Sequence, residues 1–307
     1  MTLRRISLIC LLLITIFLAG CGETGGSGGG GQSSGGEGPG YEPPPFAESD
    51  FHPDSAVGNA QVQVDTSAAA QGYVAVAAES DSRLKFQVIK GDSTYNYDLP
   101  SDGTPTVFPL QSGDGEYQLK VMENIVESKY APLYTTACTA SLADEYQPYL
   151  RPNCYVPYDP GSKCVAKAAE LAGNSSDALD FVSAVYDYVC KTVSYDTKKA
   201  ETVQSGYVPD PDETLSTGKG ICFDYASLAA AMLRSQGIPV KVIFGYVSPG
   251  DLYHAWNMFY TEETGWVTVD YEVSGDSWNR LDLTFSANGS DADFIGNGEN
   301  YSDLYCY

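Results

Sequence analysis

Two residues of this sequence have the chemistry of a nucleophile and its base. Cys222 precedes a run with helical periodicity, and His254 is one of only two histidines in the chain. The N–H groups and positive dipole end of a helix N-terminus stabilise a thiolate over a thiol and hold an oxyanion. The glycines before Cys222 are expected to leave room for a substrate backbone. Alone, either residue is more often structural, but together they predict a thiolate that attacks an acyl carbon.

The spacing of apolar and polar residues predicts the helices and strands that position Cys222 and His254. The helix after Cys222 has apolar positions at i, i+3, i+4, i+7 and i+8, and Gly237-Ile238-Pro239 ends it. Strands are expected at Val240–Val247 and at 253–260, the second carrying His254, with Trp256 in the core on the opposite face. Further helices are predicted over 162–171 and 177–193, the latter capped by Ser176 or Asp177, and a polar loop over 196–219.

The region before residue 142 has a different pattern. Short runs rich in β-forming residues, such as 61–64, 73–77 and 84–90, alternate with period two and are separated by turn residues. This pattern predicts an N-terminal antiparallel β domain of sandwich type. No cluster of catalytic or metal-binding residue types stands out in this region, so its expected role is that of a spacer or a binding domain.

The sequence around the two candidate residues resembles that of the transglutaminase-like superfamily of papain-type cysteine enzymes. The resemblance lies in residues 220–239, Gly-Ile-Cys-Phe-Asp-Tyr-Ala-Ser-Leu-Ala-Ala-Ala-Met-Leu-Arg-Ser-Gln-Gly-Ile-Pro, and in Tyr-His-Ala-Trp-Asn from Tyr253. It implies an α+β fold in which a central nucleophile helix packs on an antiparallel sheet. In such enzymes the cysteine is the nucleophile, the histidine its base, and an aspartate orients the histidine, which assigns the first two roles to Cys222 and His254.

Two aspartates match the third role in part. Asp270 and Asp282 both stand four residues after a tryptophan. Asp282 continues as Leu-Thr-Phe, which is similar to the Asp-Pro-Thr-Phe of the family and favours this residue. A simple three-stranded meander favours Asp270, because its strand would adjoin the strand of His254 directly.

The implied function is a cysteine acyl hydrolase, a peptidase or isopeptidase that acts on protein or peptide substrates through a thioester. A protein-glutamine gamma-glutamyltransferase that cross-links proteins is the alternative enzyme, and a non-catalytic surface scaffold is the alternative of another class. We expect no cofactor, and no motif with zinc-ligand spacing points to a metal. The acids near the C-terminus match no EF-hand loop.

The N-terminus predicts an extracytoplasmic, lipid-anchored protein of bacterial type. Arg4 and Arg5 precede a mostly apolar run to Leu18, as in a secretory signal. The residues Leu-Ala-Gly-Cys at 18–21 resemble a lipobox and make Cys21 the lipidated residue. The predicted organisation is a signal peptide over 1–20, a Gly/Ser/Pro-rich linker over 21–50, the β domain over 51–145 and the transglutaminase-like domain over 146–307.

Composition excludes one class of partner and leaves the cysteine pairing open. The formal net charge is -23, with Lys+Arg 17 against Asp+Glu 40. Such a surface repels polyanions, so nucleic acid is not an expected partner, whereas peptide substrates and a membrane, through the lipid, are. In an oxidising compartment Cys190 is able to pair with Cys154 or Cys164, and free thiols are the equal alternative.

Overall fold

The N-terminal region is built from eight β-strands. The computed structural model describes residues 40–247, 252–266 and 301–307. The eight strands are β1 (Val57–Gly58), β2 (Val62–Asp65), β3 (Tyr73–Ala78), β4 (Leu84–Lys90), β5 (Ser93–Leu99), β6 (Thr106–Pro109), β7 (Gly115–Val126) and β8 (Lys129–Ala140). They form two antiparallel four-stranded sheets with the orders β1-β2-β3-β6 and β5-β4-β7-β8.

Side chains from both sheets meet in one apolar core, which makes this region sandwich-like. Strand β4 turns Leu84, Phe86 and Val88 inward, and the residues between them are half-buried. They join Val64 of β2 and Phe108 of β6 in one cluster, where the Phe86 and Phe108 rings lie 4.6 Å apart. Burial with period two is expected of an antiparallel strand with one face on a core. The prediction of an antiparallel β domain of sandwich type is confirmed.

Strand β3 departs from the half-buried pattern, because all six of its residues are buried. Val74 and Val76 point into the sandwich core. On the other face, the Tyr73 hydroxyl accepts a hydrogen bond from the Asp50 N–H at 3.1 Å. The segment that precedes β1 therefore lies against this second face, and a strand covered on both faces needs no polar alternation.

Helices dominate the chain after residue 160. They are α1 (Lys163–Ala172), α2 (Ala178–Thr192), α3 (Thr197–Thr202), α4 (Pro211–Thr217) and α5 (Cys222–Ser235). Helices α1, α2 and α5 were predicted, and Asp177 caps α2 by accepting the Asp180 N–H at 2.9 Å. The predicted loop over 196–219 is wrong, because it contains α3 and α4, capped by Asp196 and Asp210. Helices of one or two turns are too short to show an apolar period, and only their caps announce them.

Helix α5 is the centre of this half, since every residue after Cys222 is buried. The sequence predicted one apolar stripe, but α1, α2, α4 and two strands surround the helix. Small side chains such as Ala226, Ala229 and Ala230 let these neighbours approach closely. A helix buried on all sides holds its first residue in a fixed position.

The remaining strands complete the α+β architecture. They are β9 (Ser194–Tyr195), β10 (Lys219–Gly220), β11 (Val240–Val247), β12 (Leu252–Thr261), β13 (Gly265–Trp266) and β14 (Tyr301–Cys306). Strands β9 and β10 form a parallel pair, and the other four form a sheet of order β13-β12-β11-β14 whose pairs are all antiparallel. Helix α5 packs on β11 and β12. The predicted α+β fold, with a central nucleophile helix on an antiparallel sheet, is confirmed.

Arg234 links three segments from inside the core. It is only 1% exposed, and it donates hydrogen bonds to the carbonyl oxygens of Val240, Arg151 and Tyr307. Burial lowers the pKa of its guanidinium to about 10. Because this value is above neutral pH, the group stays charged, and the carbonyl dipoles replace the water that it has lost.

Aromatic rings join the sandwich to the helical half. The ring of Tyr97 on β5 lies 5.7 Å from that of Tyr155 and 5.6 Å from that of Tyr307. The chain from Gly38 to Tyr307 forms one compact unit. The domain boundaries given by the sequence therefore stay a prediction.

The segment over 40–50 has neither helix nor strand and packs on the helical half. Tyr41 stacks on Phe181 with a centroid distance of 5.3 Å and donates its hydroxyl to the Gln236 carbonyl at 2.7 Å. Pro44 covers Gly237, where φ is +83° and an added Cβ would lie 2.1 Å from the proline ring. None of the helices in the described ranges is long and apolar enough to cross a membrane.

Candidate active site

Cys222 is the first residue of α5, as the sequence predicted. Ile221 before it is extended, with φ −93° and ψ 176°, and the Cys222 side chain is partly exposed. The first N–H groups of a helix have no acceptor within the helix, and the positive end of the dipole lies there. The thiol of Cys222 therefore lies where a negative charge is favoured.

Gly220 serves a different purpose from the one predicted for it. A Cβ at this position would lie 2.5 Å from the Cβ of Asp224. The glycine therefore makes room for the Asp224 side chain, which folds back over the helix start, and the expected clearance for a substrate backbone is not its structural reason.

The carboxylate of Asp224 is fully buried and closes the N-terminus of α5. It accepts the Ile221 N–H at 2.7 Å, pairs with the Lys199 ammonium at 2.9 Å and accepts the Tyr207 hydroxyl at 2.5 Å. Lys199 belongs to α3, and Tyr207 lies in the loop after it. One buried charge thus holds three segments at the base of the nucleophile helix.

Tyr207 remains a donor to this carboxylate at all physiological pH values. Burial and then the hydrogen bond to Asp224 raise the pKa of its phenol far above the ordinary value. The Lys199 ammonium also lies 4.5 Å from the centroid of the Tyr207 ring. The network is therefore fully protonated on the donor side when the carboxylate is charged.

His254 lies on β12, where it is 3% exposed and opposite Gly245. Its ring stacks on Trp256 with centroids 6.2 Å apart. Trp256 is buried as expected, but on the same face of the strand as His254, because alternate residues share a face. Asn257, on the face toward α5, donates to the Ala226 carbonyl at 3.1 Å and so fixes β12 against the first turns of the helix.

Cys222 and His254 line one cavity of about 600 Å³. Its wall is rich in aromatic side chains, namely those of Tyr155, Tyr195, Tyr207, Phe223, Phe244, Tyr253 and Tyr307. The sandwich contributes Asp98 at the end of β5. The β domain therefore takes part in the candidate site, which the sequence did not indicate.

Two phenols line the same cavity as Cys222, those of Tyr195 and Tyr253. Burial raises the pKa of Tyr195, and the charges of Cys222 and Asp224 raise it further. Burial also raises the pKa of Tyr253, with Tyr305, Tyr246 and Cys222 as further causes. Both phenols are therefore protonated near neutral pH and keep their O–H groups as donors in the cavity wall.

Three of the predicted site residues lie outside the described residues: Asp270, Asp282 and the lipidation candidate Cys21. Strand β13 pairs directly with β12 at Tyr260 and Trp266. This is the arrangement that the argument for Asp270 assumes. The third role therefore stays a prediction for both aspartates.

Burial raises the pKa of four thiols other than that of Cys222. It raises the pKa of Cys138 to about 11, and it raises the thiol pKa values of Cys154, Cys164 and Cys306 as well. Cys154 and Cys164 are thiols in the structure, so neither forms the disulfide with Cys190 that the sequence left open. Within the described ranges no three acidic, histidine or cysteine side chains are placed to hold a metal ion.

Sequence reasoning missed Asp224, Lys199 and Asn257. An acidic residue at the third position of a helix is a usual N-terminal signal, and it was available for Asp224. Lys199 gave no signal, because its role depends on a tertiary contact 25 residues along the chain.

Comparison with known proteins identifies the domain that holds the site. A family model described as the transglutaminase-like superfamily matches residues 165–271. This part of the chain is therefore similar to the transglutaminase-like superfamily, the family that the motifs resemble.

Two curated relatives align over short regions. One is a protein-glutamine gamma-glutamyltransferase of Pseudomonas aeruginosa, 35% identical over 77 residues, which are 20% of this chain and 12% of the relative. The other is an uncharacterized protein, YebA of Bacillus subtilis, 30% identical over 121 residues, 34% of this chain and 16% of the relative. The chain thus spans less than a fifth of the length of either.

One solved structure that aligns with this chain is the periplasmic domain of TgpA from Pseudomonas aeruginosa. It is 16% identical, covers 81% of this chain and 76% of its own, and has a TM-score of 0.35. No functional conclusion follows from a score this low.

Asp224→Asn should destabilise the fold by about 2–3 kcal/mol, because it leaves the Lys199 ammonium without its charged partner in a mostly buried place. Urea unfolding followed by circular dichroism measures the change. The control is Asp187→Asn, which breaks the exposed pair with Lys191 and should alter stability by less than about 0.5 kcal/mol.

A double variant completes this test. Lys199→Met together with Asp224→Asn removes both charges and should recover part of the lost stability. Equal stabilities of Asp224→Asn and Asp187→Asn would contradict the role assigned to the network.

Proposed function

We propose that this chain is a cysteine acyl hydrolase that cleaves peptide or isopeptide bonds through a thioester on Cys222. The observation that carries the proposal is the shared cavity. Cys222 at the start of α5 and His254 of β12 both form part of its wall. The cavity provides the volume for an acyl group beside the thiol, and the family of the domain supports covalent cysteine chemistry.

The reaction follows from the positions of these groups. His254 takes the thiol proton, and the Cys222 sulfur attacks the carbonyl carbon of the substrate. N–H groups at the start of α5 hold the oxyanion that forms. When the tetrahedral intermediate collapses, the C–N bond breaks and His254 gives its proton to the departing amine. Water, deprotonated by His254, then attacks the thioester, which releases the acid and restores the thiol.

For the aspartate that orients His254, two observations favour Asp270 over Asp282. The family match ends at residue 271, so it includes Asp270 and stops before Asp282. Strand β13, four residues before Asp270, pairs with the strand of His254. The Leu-Thr-Phe motif after Asp282 remains the argument for the other choice.

A second candidate is transfer of the acyl group to an amine. The name of the Pseudomonas aeruginosa relative favours it, since that protein is a protein-glutamine gamma-glutamyltransferase. Both reactions share the thioester and differ only in whether water or an amine resolves it.

The location of the protein is a separate proposal. The basic residues, the apolar run and the Leu-Ala-Gly-Cys sequence at 18–21 support a lipid on Cys21 and an extracytoplasmic position at the membrane surface. The Gly/Ser-rich stretch that follows would then separate the folded part from the bilayer.

Iodoacetamide at pH 7 should alkylate Cys222 at least about tenfold faster than Cys138, Cys154, Cys164 or Cys306. Burial raises the pKa of these four thiols, so their thiolate fraction at pH 7 is smaller than that of an ordinary cysteine. Peptide mapping by mass spectrometry measures the rates.

His254→Gln should abolish the advantage of Cys222, and His52→Gln, which changes the only other histidine, should keep it. Asp270→Asn and Asp282→Asn distinguish the two candidates for the third role, because only substitution of the residue that orients His254 should slow the alkylation of Cys222. Equal rates for all thiols in the unaltered protein would overturn the proposal.

Hydrolysis predicts release of amino groups without amine incorporation. With dimethylated casein and dansylcadaverine as probes, the unaltered chain should generate new amino termini and bind little dansyl label to casein, and Cys222→Ala should do neither. Labelling that exceeds the release of amino termini would identify a transferase instead.

Cys21→Ser should move the protein from the detergent phase to the aqueous phase in a phase partition of bacterial membranes. Cys10→Ser, which lies within the predicted signal, should remain in the detergent phase like the unaltered chain. Partition of Cys21→Ser into detergent would refute lipidation at this residue.

A further inference from the structure

A second cavity adjoins the one that contains Cys222. It has a volume of about 690 Å³, and Asp98, Cys154 and Val208 line both cavities. The sandwich forms one side of it through Asp98 and the residues 105–107, and the helical half forms the other. The two cavities are therefore neighbours that share part of their walls, and a peptide bound at Cys222 has the second cavity beside it.

The second cavity is acidic. Asp98, Asp159, Asp210 and Asp212 line it, and its wall contains no lysine, arginine or histidine. Among the described residues, one ion pair involves these carboxylates, that of Asp98 with Lys85 at 2.6 Å. Both side chains of this pair reach solvent, so water competes with the ammonium for the Asp98 carboxylate.

The fold stabilises the charged form of the Asp212 carboxyl group. Burial opposes its ionisation, but hydrogen bonds from the backbone of Cys164 and Lys163 prevail and hold the pKa of this carboxyl below its usual value. Both N–H groups donate at 2.8 Å and belong to the start of α1. Asp210 likewise accepts the N–H groups of the first turn of α4. Hydrogen bonds therefore fix both carboxylates in place before any ligand arrives.

An unsatisfied buried donor lies in the same wall. Asn153 is 6% exposed and lines the second cavity. Its Oδ1 accepts the N–H groups of Tyr155 and Val156 at 3.0 Å and 3.1 Å, whereas its Nδ2 has no partner among the described residues. A buried amide donor without an acceptor destabilises a protein unless a ligand oxygen satisfies it. A peptide carbonyl is such an acceptor.

We propose that the second cavity is a specificity subsite that receives a lysine or arginine side chain of the substrate peptide, with a peptide carbonyl at Asn153, while the acyl group lies at Cys222. A small metal ion does not fit, because no three ligand side chains of the described residues converge. A long cationic side chain fits carboxylates spread over a cavity of this size. This inference rests on the proposed function of Cys222.

Peptidyl chloromethyl ketones test the subsite without a known substrate. Acetylated alanine tetrapeptide reagents carry either lysine or norleucine at one position in turn, so that each pair differs by an ammonium group. The rate constant for alkylation of Cys222 in the full chain is measured by mass spectrometry. At one position at least, the lysine reagent should react about tenfold faster than its norleucine partner, as expected of one well-placed charged contact.

Asp98→Asn with Asp159→Asn should reduce this ratio several-fold. An unchanged circular dichroism spectrum and urea unfolding midpoint report that the variant is folded. Both substitutions keep the oxygen atom Oδ1. In Asp159 this atom accepts the Gly161 N–H at 2.7 Å. The control, Asp81→Asn with Asp92→Asn, removes the same charge from exposed turns of the sandwich and should keep the ratio.

The outcomes separate the two proposals. Equal rates for lysine and norleucine at every position, or an equal loss of the ratio in both double variants, would overturn the subsite. If no reagent alkylates Cys222 faster in the unaltered chain than in His254→Gln, the proposed function itself fails.

Discussion

The buried carboxylate of Asp224 makes the interactions on which the position of Cys222 depends. A charge with no exposure to water is tolerated only when donors surround it. Here the Ile221 N–H, the Lys199 ammonium and the Tyr207 hydroxyl supply them. These donors come from the helix cap, from α3 and from the loop after α3. The group that fixes the start of α5 therefore also fixes part of the cavity wall that faces Cys222.

The site belongs to both halves of the molecule. Rings of Tyr97, Tyr155 and Tyr307 pack between the sandwich and the helical half, and Asp98 of β5 reaches both cavities. Arg234 binds the carbonyl oxygens of segments that lie before and after α5, the last being Tyr307 beside β11. Movement of the sandwich relative to α5 would open this aromatic packing, so the β region forms part of the wall of the site.

Local pattern predicted the elements that carry Cys222 and His254, because each has enough residues to show its period. The helix after Cys222 and strands β11 and β12 are of this kind. The pattern failed where a role depends on distant partners. Asp224 meets Lys199 and Tyr207, 25 and 17 residues away, and β14 exists through its pairing with β11. Gly220 illustrates the same limit, since its reason is the folded-back carboxylate and not the substrate.

The acidic cavity shows how folding constrains recognition. Asp210 and Asp212 each accept backbone N–H groups at the start of a helix, and a helix N-terminus carries about half a positive charge. The helix N-termini therefore offset part of the negative charge of Asp210 and Asp212. The electrostatic potential at a ligand in the cavity is weaker than four full negative charges would produce. Asp159 also serves the fold, since its Oδ1 accepts the Gly161 N–H at 2.7 Å and the Ser162 hydroxyl at 3.4 Å just before α1. Asp98 pairs with the Lys85 ammonium at 2.6 Å. A cationic side chain of a ligand therefore competes with protein donors at each of these carboxylates.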